Sequence, residues 1–255
     1  MQSLWNGLPK PFFAMAPMAD VTDVAFRALV AKRGAPDVFW TEFVSADGLY
    51  YTNELAGKSE KSSAPQEYFH FSKPGYGQEK LVARAARPIQ HDFPDLPTRQ
   101  NSNPLMRDLI IGEGQHPIIA QIFSSKPAMI TYATKLVSEL GFDGVDINMG
   151  CPDRTIEKQG AGAALVKNPA LAVELIHAAQ GASELPVSVK TRVGYNKESL
   201  DEWLEALLKA APAAITLHLR TRKQMSLVPA DWELMKRAVE IRNRINPNVL
   251  LIGNG

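Results

Sequence analysis

The sequence has very little cysteine, no long apolar run and no excess of charge, and each shortage excludes a class of protein. One cysteine in 255 residues, Cys151, excludes an intramolecular disulfide framework and a cysteine-rich metal site. This usage fits a reducing compartment, so we expect a cytoplasmic protein. No stretch approaches about 18 uninterrupted apolar residues, so no membrane span is expected. The first residues also lack the basic and apolar regions of a signal peptide.

The charge balance and the histidine spacing exclude further classes of protein. The 28 Lys and Arg residues balance 27 Asp and Glu residues, so any surface for nucleic acid must be local. The five histidines show no paired spacing, so no metal site is expected. A hydrophobic content of 45% is enough for one large core, and α/β barrels commonly use about this length as a single domain.

Apolar strands alternate with amphipathic helices along most of the chain. Strands are predicted over 12–18, 38–44, 117–123, 144–150, 186–194, 213–221 and 248–255. Helices are predicted over 23–33, 127–141, 168–180, 197–210 and 231–245. This alternation, with nearly continuous apolar strands, is typical of a parallel sheet covered by helices.

The predicted fold class is α/β, a (β/α)8 TIM barrel that stops after its seventh strand. A closed barrel needs one more strand, and an open doubly wound sheet is the competing closure. The barrel is favoured because polar residues follow nearly every strand rather than one switch point. Regular signals fade between about 46 and 115, apart from a helix-like stretch at 78–87, and the insertion is placed at about 50–115. This region is predicted to be a long, partly disordered insertion after strand 2.

The carboxyl ends of the predicted strands carry residues that are mostly polar or glycine, and these ends converge on one mouth in a barrel. In chain order they are Pro17, Met18 and Ala19, Glu42, Gln121, Asn148 and Cys151, Lys190 and Arg192, His218 and Arg220, and Gly253, Asn254 and Gly255. Such a convergence predicts a functional site at that mouth.

Three of these residues each have more than one interpretation. Lys190 lies in an apolar strand, so it either faces an anionic or electron-rich group of a cofactor or extends its ammonium to solvent. His218 is either a structural histidine or a ligand contact, and with Arg220 it suits a phosphate or a carbonyl-rich ring. Cys151, in a Gly-Cys-Pro turn, is an inert thiol, a nucleophile if its pKa is lowered, or a general acid while protonated.

Three further features lie near the same mouth. The glycine-rich run GAGAAL at 160–165 allows close approach to a ligand or to the barrel, and LIGNG at 251–255 stands where barrels often bind phosphate. Basic residues after strands four to six either hold phosphates of a large anionic substrate or form ordinary solvated loops. They are Arg154, Lys158, Lys167, Lys190, Arg192, Lys197, Arg220, Arg222 and Lys223.

Several segments together resemble the tRNA-dihydrouridine synthase family. They are APMADVTDVAFR (16–27), TEFVSADGL (41–49), AQIF (120–123), DGVDINMGCPDRTIEKQGAGAAL (143–165), SVKTRVG (188–194), HLRTR (218–222) and IGNG (252–255). NMGCP, SVKTR and HLRTR in this order are highly specific, and the similarity covers the chain outside about 50–115. The resemblance implies an FMN-dependent TIM barrel that reduces the C5–C6 double bond of uridine in tRNA with NADPH.

The resemblance also implies roles for individual residues. Cys151 is implied as the general acid that protonates uracil C5 after C6 receives a hydride. Asn148 and Arg192 are implied in positioning the uracil and neighbouring RNA, and we add Arg220 to this substrate-binding group. The implied flavin contacts are Pro17, Met18, Gln121, Lys190, His218, Gly253 and Asn254.

The chain differs from the family pattern in two places. That pattern continues past the GNG motif into the rest of the barrel and a helical tRNA-binding domain, so residues 1–255 are expected to be an incomplete FMN-binding catalytic domain. The 50–115 region is unusual for the family. Two alternatives therefore stay open: an FMN barrel that reduces a free pyrimidine or similar heterocycle, and a truncated, non-catalytic RNA-binding remnant. The sequence does not define the oligomeric state.

Overall fold

Parallel strands and helices alternate through the computed structural model, which describes residues 4–56 and 104–255. The strands are β1 (Phe39–Ser45), β2 (Ile118–Phe123), β3 (Gly144–Met149), β4 (Val187–Arg192), β5 (Ala214–His218) and β6 (Leu250–Asn254). The α-helices are α1 (Val24–Gly34), α2 (Ala46–Ala56), α3 (Pro127–Glu139), α4 (Arg154–Lys158), α5 (Pro169–Gln180), α6 (Leu200–Lys209) and α7 (Glu233–Ile245). Short 3-10 helices cover Leu4–Asn6, Pro104–Arg107 and Gly162–Lys167.

The six strands form one sheet in their chain order, β1 to β6, and every neighbouring pair is parallel. A doubly wound sheet reverses its order at a switch point, whereas a barrel adds each strand beside the previous one. The observed order supports an α/β fold with barrel-like winding. Within 4–56 and 104–255, β1 and β6 are the two ends of the sheet, so barrel closure stays a prediction.

The prediction of a first strand over residues 12–18 is wrong. Residues 12–18 make a single parallel bridge, between Ala14 and Val38, and are otherwise outside the sheet. The apolar character of this segment suggested a buried strand, yet Phe13 is 75% exposed. Pro17 also has no amide hydrogen to donate to a ladder. The described sheet therefore has six strands.

The region predicted as an insertion is regular at both of its flanks. Helix α2 follows β1 directly and ends at Ala56, and a 3-10 turn covers Pro104–Arg107. The predicted loss of regular structure from about 46 is thus wrong for residues 46–56. The central part, 57–103, with the helix-like stretch at 78–87, lies outside the described residues.

Successive residues of each strand face opposite sides of the sheet, and one side packs on the helices. Ile122, Ile147 and Leu217 on that side join the main core with buried residues of α6, such as Trp203 and Leu204. Burial of each such apolar side chain contributes roughly 1.5–3 kcal/mol. This layer fixes the strands against their helices.

The other side of the sheet lines its curved interior. At the amino ends of the strands it holds an apolar cluster that includes Trp40 of β1 and Ala214 of β5, packed against Leu250 of β6. The amino-terminal segment covers this cluster. Its Trp5 ring packs on Trp40, with ring centroids 5.9 Å apart. One cluster thus joins the first and last strands of the sheet. Polar residues occupy the interior nearer the carboxyl ends.

Candidate active site

Two neighbouring cavities open at the carboxyl ends of the strands. The larger encloses about 170 Å³ and the smaller about 40 Å³. Pro17 and Lys190 line both cavities, so the two are adjacent. The predicted site residues of the larger cavity are Pro17, Gln121, Asn148, Cys151, Lys190, Arg192 and His218, and those of the smaller are Pro17, Lys190, Gly253 and Asn254.

A chain of side-chain hydrogen bonds runs through the interior to the cysteine turn. Gln121 Nε2 donates to Asp146 Oδ2 at 2.6 Å, and Asn148 Nδ2 donates to Gln121 Oε1 at 3.0 Å. Asn148 Oδ1 then accepts from the backbone N–H groups of Gly150 at 3.0 Å and Cys151 at 2.9 Å. Because an ionised carboxylate only accepts, Asp146 fixes the orientation of both amides. The position of the turn therefore depends on a buried carboxylate.

Asp146 is fully buried, and it was not among the predicted site residues. Burial raises the pKa of this carboxyl to about 6, although hydrogen bonds from Ser188 and Gln121 favour its ionised form. A carboxylate inside an apolar strand, two residues before Asn148, was the available signal, since such a group needs partners when buried. Asp146 supports the site from below the cavity.

Lys190 places a cation between the two cavities. Its Nζ donates to Asn254 Oδ1 at 3.1 Å. Burial lowers the pKa of this ammonium to about 8, against the attraction of the Asp146 carboxylate. The side chain lies inside the curve of the sheet rather than extending to solvent, and an ammonium has three hydrogens to donate. This arrangement suits an anionic or electron-rich ligand.

His218 is held as a neutral imidazole. Burial lowers its pKa to about 3, with further contributions from nearby Arg192, Lys190 and Arg220. Arg220 Nη1 lies 2.8 Å from His218 Nε2, and because a guanidinium can only donate, that nitrogen accepts. Arg220 also donates from Nε to Val228 O at 2.6 Å. The Arg220 side chain thus orients His218 and does not line either cavity.

Replacing His218 should change how stability depends on pH. An unfolded histidine has a pKa of about 6.5, so between that pH and the folded value of about 3 the unfolded chain binds a proton that the folded chain does not. Acid therefore destabilises the folded wild-type chain in this window. For His218→Gln we expect a smaller loss of unfolding free energy between pH 6.5 and 4, measured by urea denaturation. An unchanged loss would contradict the assignment of a neutral histidine.

The turn that carries Cys151 packs on a glycine that no other residue could replace without strain. Gly162 has a φ of +60°, and a Cβ there would lie 2.7 Å from Cys151 O. Ala163 N donates to that same oxygen at 2.9 Å. The predicted close approach of the glycine-rich run is therefore an approach to the cysteine turn itself.

The thiol of Cys151 keeps its proton at neutral pH. Burial is the largest influence and raises its pKa, and the nearby Asp153 and Glu157 carboxylates act in the same direction. The backbone N–H of Asp153 and the Arg192 guanidinium act against it. The balance disfavours a standing thiolate nucleophile and leaves a group with a proton to donate.

Arg192 is committed to backbone carbonyls around the cavity. Its Nε donates to Gly150 O at 2.8 Å, and its Nη1 donates to Thr221 O at 3.2 Å and Met225 O at 3.0 Å. These bonds connect the turn after β3 with the segment after β5. Arg192 therefore shapes the wall of the cavity that it lines.

Some residues at predicted strand ends line neither cavity, and an aromatic residue of the cavity wall was missed. Those outside both linings are Met18, Ala19, Glu42, Arg220 and Gly255. Met18 is 43% exposed and lines neither cavity. Glu42 Oε1 accepts from Val21 N at 3.1 Å, because β1 has an extra residue between Trp40 and Phe43 relative to β2. This bulge places Phe43 in the cavity wall, and nothing in the local sequence signals it.

Within residues 4–56 and 104–255, no group of three or more His, Cys, Asp or Glu side chains could hold a metal ion. In the same ranges, no helix has the length and apolar character needed to cross a membrane.

The fold and the cavities define a class: an α/β protein with a parallel, consecutively wound sheet and a ligand site at the carboxyl ends of its strands. A sequence model described as "Dihydrouridine synthase (Dus)" matches residues 14–68 and 97–255. The chain therefore belongs to the dihydrouridine synthase family.

Three relatives align with all 255 residues. The "Probable tRNA-dihydrouridine synthase 2" of Bacillus subtilis (strain 168) is 36% identical, and 64% of its length is covered. The "Probable tRNA-dihydrouridine synthase" of Staphylococcus aureus (strain Mu50) is 34% identical, with 63% covered. The protein of that name in Staphylococcus epidermidis (strain RP62A) is 34% identical, with 64% covered. The chain thus spans just under two thirds of these relatives' length.

Proposed function

We propose that this chain catalyses the flavin-dependent reduction of the C5–C6 double bond of uridine in tRNA, with NADPH as the reductant. The observation that carries the proposal is one cavity shared by a protonated thiol, Cys151, and a partly buried cation, Lys190. Reduction of a carbon–carbon double bond needs a hydride and a proton. The names of the three relatives support tRNA as the substrate.

The donor set of the two cavities fits FMN. Lys190 offers a cation to an electron-rich ring, and the chain of bonds from Asp146 holds the Gln121 amide in one orientation beside it. When bound, the flavin supplies the hydride. The residues proposed to hold it are Pro17, Met18, Gln121, Lys190, His218, Gly253 and Asn254.

Cys151 is proposed as the general acid. Its Sγ–H donates a proton to uracil C5, and the raised pKa of the thiol keeps that proton available at neutral pH. Asn148 fixes the backbone of the turn through two N–H groups. The proposed substrate-binding residues are Asn148, Arg192 and Arg220. The two arginines serve the site by positioning other groups, because Arg192 holds the cavity wall and Arg220 orients His218.

Contact with RNA is proposed to come from the exposed members of the basic group. Lys190, Arg192, Arg220 and Arg222 are already engaged with protein partners. The remaining five are exposed around the same mouth: Arg154, Lys158, Lys167, Lys197 and Lys223. Exposed cations beside the cavities suit a polyanion better than a free pyrimidine.

Binding of unmodified tRNA should weaken steeply with salt. If the five exposed cations each contact a phosphate, the dissociation constant should rise about 100-fold or more between roughly 50 and 200 mM salt. Filter binding over a salt series measures this slope. Lys158→Gln and Lys223→Gln should each reduce the slope by about 1, whereas Lys236→Gln, on the exposed face of α7, should not.

Activity separates the candidate substrates. The chain is loaded with FMN and NADPH, and dihydrouridine is quantified after incubation with unmodified tRNA or with uridine monophosphate. The proposal expects product in tRNA only. Equal reduction of the mononucleotide would favour a small-heterocycle reductase, and tRNA binding without flavin binding would favour a non-catalytic RNA-binding protein.

A further inference from the structure

An ion pair beside the cysteine turn is not explained by flavin or substrate binding. Arg222, on the segment after β5, donates from Nε to Glu157 Oε1 at 3.0 Å and Oε2 at 2.9 Å, and Nη2 also contacts Oε2. The same Nη2 donates to Pro152 O at 3.4 Å, and Pro152 follows Cys151 directly. The two side chains are only 24% and 9% exposed, so solvent screens this pair less than a surface pair.

Helix α4, which carries Glu157, depends on contacts from outside itself. It has five residues, far fewer than an isolated helix needs to be stable in water. Asp153 caps it by accepting from Thr155 N at 2.7 Å, and Ile156 is buried on its inner side. The ion pair between Arg222 and Glu157 holds the helix on another side. Since α4 begins three residues after Cys151, its position determines how the turn is held.

Arg222 is itself fixed in place. Its backbone N–H donates to Gly194 O at 2.9 Å, and its guanidinium carbon lies 5.4 Å from the centroid of the Tyr195 ring. Lys167 Nζ lies 4.2 Å from the centroid of that ring. The loops that follow β3, β4 and β5 therefore meet around one guanidinium.

We infer that Arg222 is a positioning residue, which holds the Cys151 turn at the cavity through its ion pair with Glu157. Asn148 fixes the amino side of the turn through backbone N–H groups, and Arg222 fixes the opposite side through Pro152 O and α4. Loss of the arginine leaves a nearly buried carboxylate without its partner, which strongly disfavours the present position of α4. The catalytic importance of this ion pair rests on the proposed function, but its role in positioning the turn does not.

The single cysteine gives a direct test that needs no flavin or substrate. Alkylation of the flavin-free chain by iodoacetamide reports on Cys151 alone, and its full pH profile separates the rate constant of the thiolate from the thiol pKa. That pKa responds to every charged group facing the sulfur, namely Asp153, Glu157, Lys190 and Arg192. The thiolate rate constant reports how accessible the sulfur is, and it is the quantity that tests positioning.

We expect Arg222→Met and Glu157→Gln each to raise the thiolate rate constant about fivefold, and the double variant to match either single one, because partners in one interaction are not additive. Arg222→Lys should lie between wild type and Arg222→Met, since lysine keeps the charge but not the bidentate fork. Arg237→Met is the matched control: it removes an arginine that pairs with Glu198 and Asp201, and it should leave the rate unchanged.

The flavin-loaded chain supplies the second readout. Arg222→Met should lower kcat for uridine reduction at least tenfold while flavin affinity and flavin reduction by NADPH stay at wild-type values, and Arg222→Lys should recover part of kcat. A thiolate rate constant within twofold of wild type in both Arg222 variants, or additive effects in the double variant, would overturn the inference. A wild-type chain that does not reduce uridine would refute the proposed function. The alkylation rates would still test whether Arg222 positions the Cys151 turn.

Discussion

A Cys151→Ala variant is expected to bind flavin and accept hydride from NADPH as the wild-type chain does, yet to reduce uridine about 100- to 10,000-fold more slowly, the usual contribution of a general acid. The turn itself should survive, because Asn148 and Ala163 hold its backbone rather than its sulfur. Stopped-flow absorbance of the flavin measures the first half-reaction, and dihydrouridine quantification measures the second.

Cys151→Ser provides the matched control for the Cys151→Ala variant. A serine hydroxyl has the same connectivity but is a much weaker acid than a thiol, so it should remain slow although its size is nearly preserved. Near wild-type turnover in the alanine variant would refute Cys151 as the proton donor. A loss of flavin binding in either variant would instead assign the residue a structural role.

Replacement of Lys190 by methionine should weaken FMN binding about 10- to 100-fold, the equivalent of the 1.5–3 kcal/mol typical of a hydrogen bond to a charged group. Methionine keeps much of the side-chain volume and removes the ammonium that lies between the two cavities. Flavin fluorescence quenching during titration of the apoprotein measures the dissociation constant.

Two comparisons make the Lys190 result specific. Lys209→Met removes an exposed ammonium from α6, where it pairs with Glu205, and should leave FMN affinity unchanged. The melting temperature of the flavin-free Lys190→Met variant shows whether its fold persists. A stable variant that binds FMN as tightly as the wild-type chain would show that Lys190 does not contact the flavin.

Most elements from residue 117 onward, with α4 as an exception, could be predicted from the sequence because buried parallel strands appear as apolar runs. Residues 118–123 and 144–149, for example, are buried throughout, and their predicted bounds differ from the observed ones by one residue. Helix α2 (ADGLYYTNELA) directly follows β1 and was not predicted. Packing of Tyr50 on Tyr132 of α3, with ring centroids 5.1 Å apart, places that helix. Such a contact between distant residues overrides local propensity.

Site residues could be predicted from the sequence where the side chains of a strand alternate regularly between its two faces. Gln121, Asn148 and Lys190 share the interior face of adjacent strands, as the spacing required. Glu42 failed this reasoning because the bulge in β1 adds a residue and changes the face that follows it. The Arg222 and Glu157 pair joins residues 65 positions apart, a distance at which a sequence without its fold gives no indication of contact.

The bonds around Cys151 are nearly all local in the chain. Asn148 binds residues two and three positions later, Asp153 caps its own helix, and Ala163 N reaches back to Cys151 O. Sixteen consecutive residues thus contain most of the information for the shape of the turn. Such a segment can behave as a cooperative unit in native-state hydrogen exchange, with the long-range arginine contacts setting its docking rather than its shape. The surrounding loops could accordingly change in evolution while this segment, with Cys151, is retained as one unit.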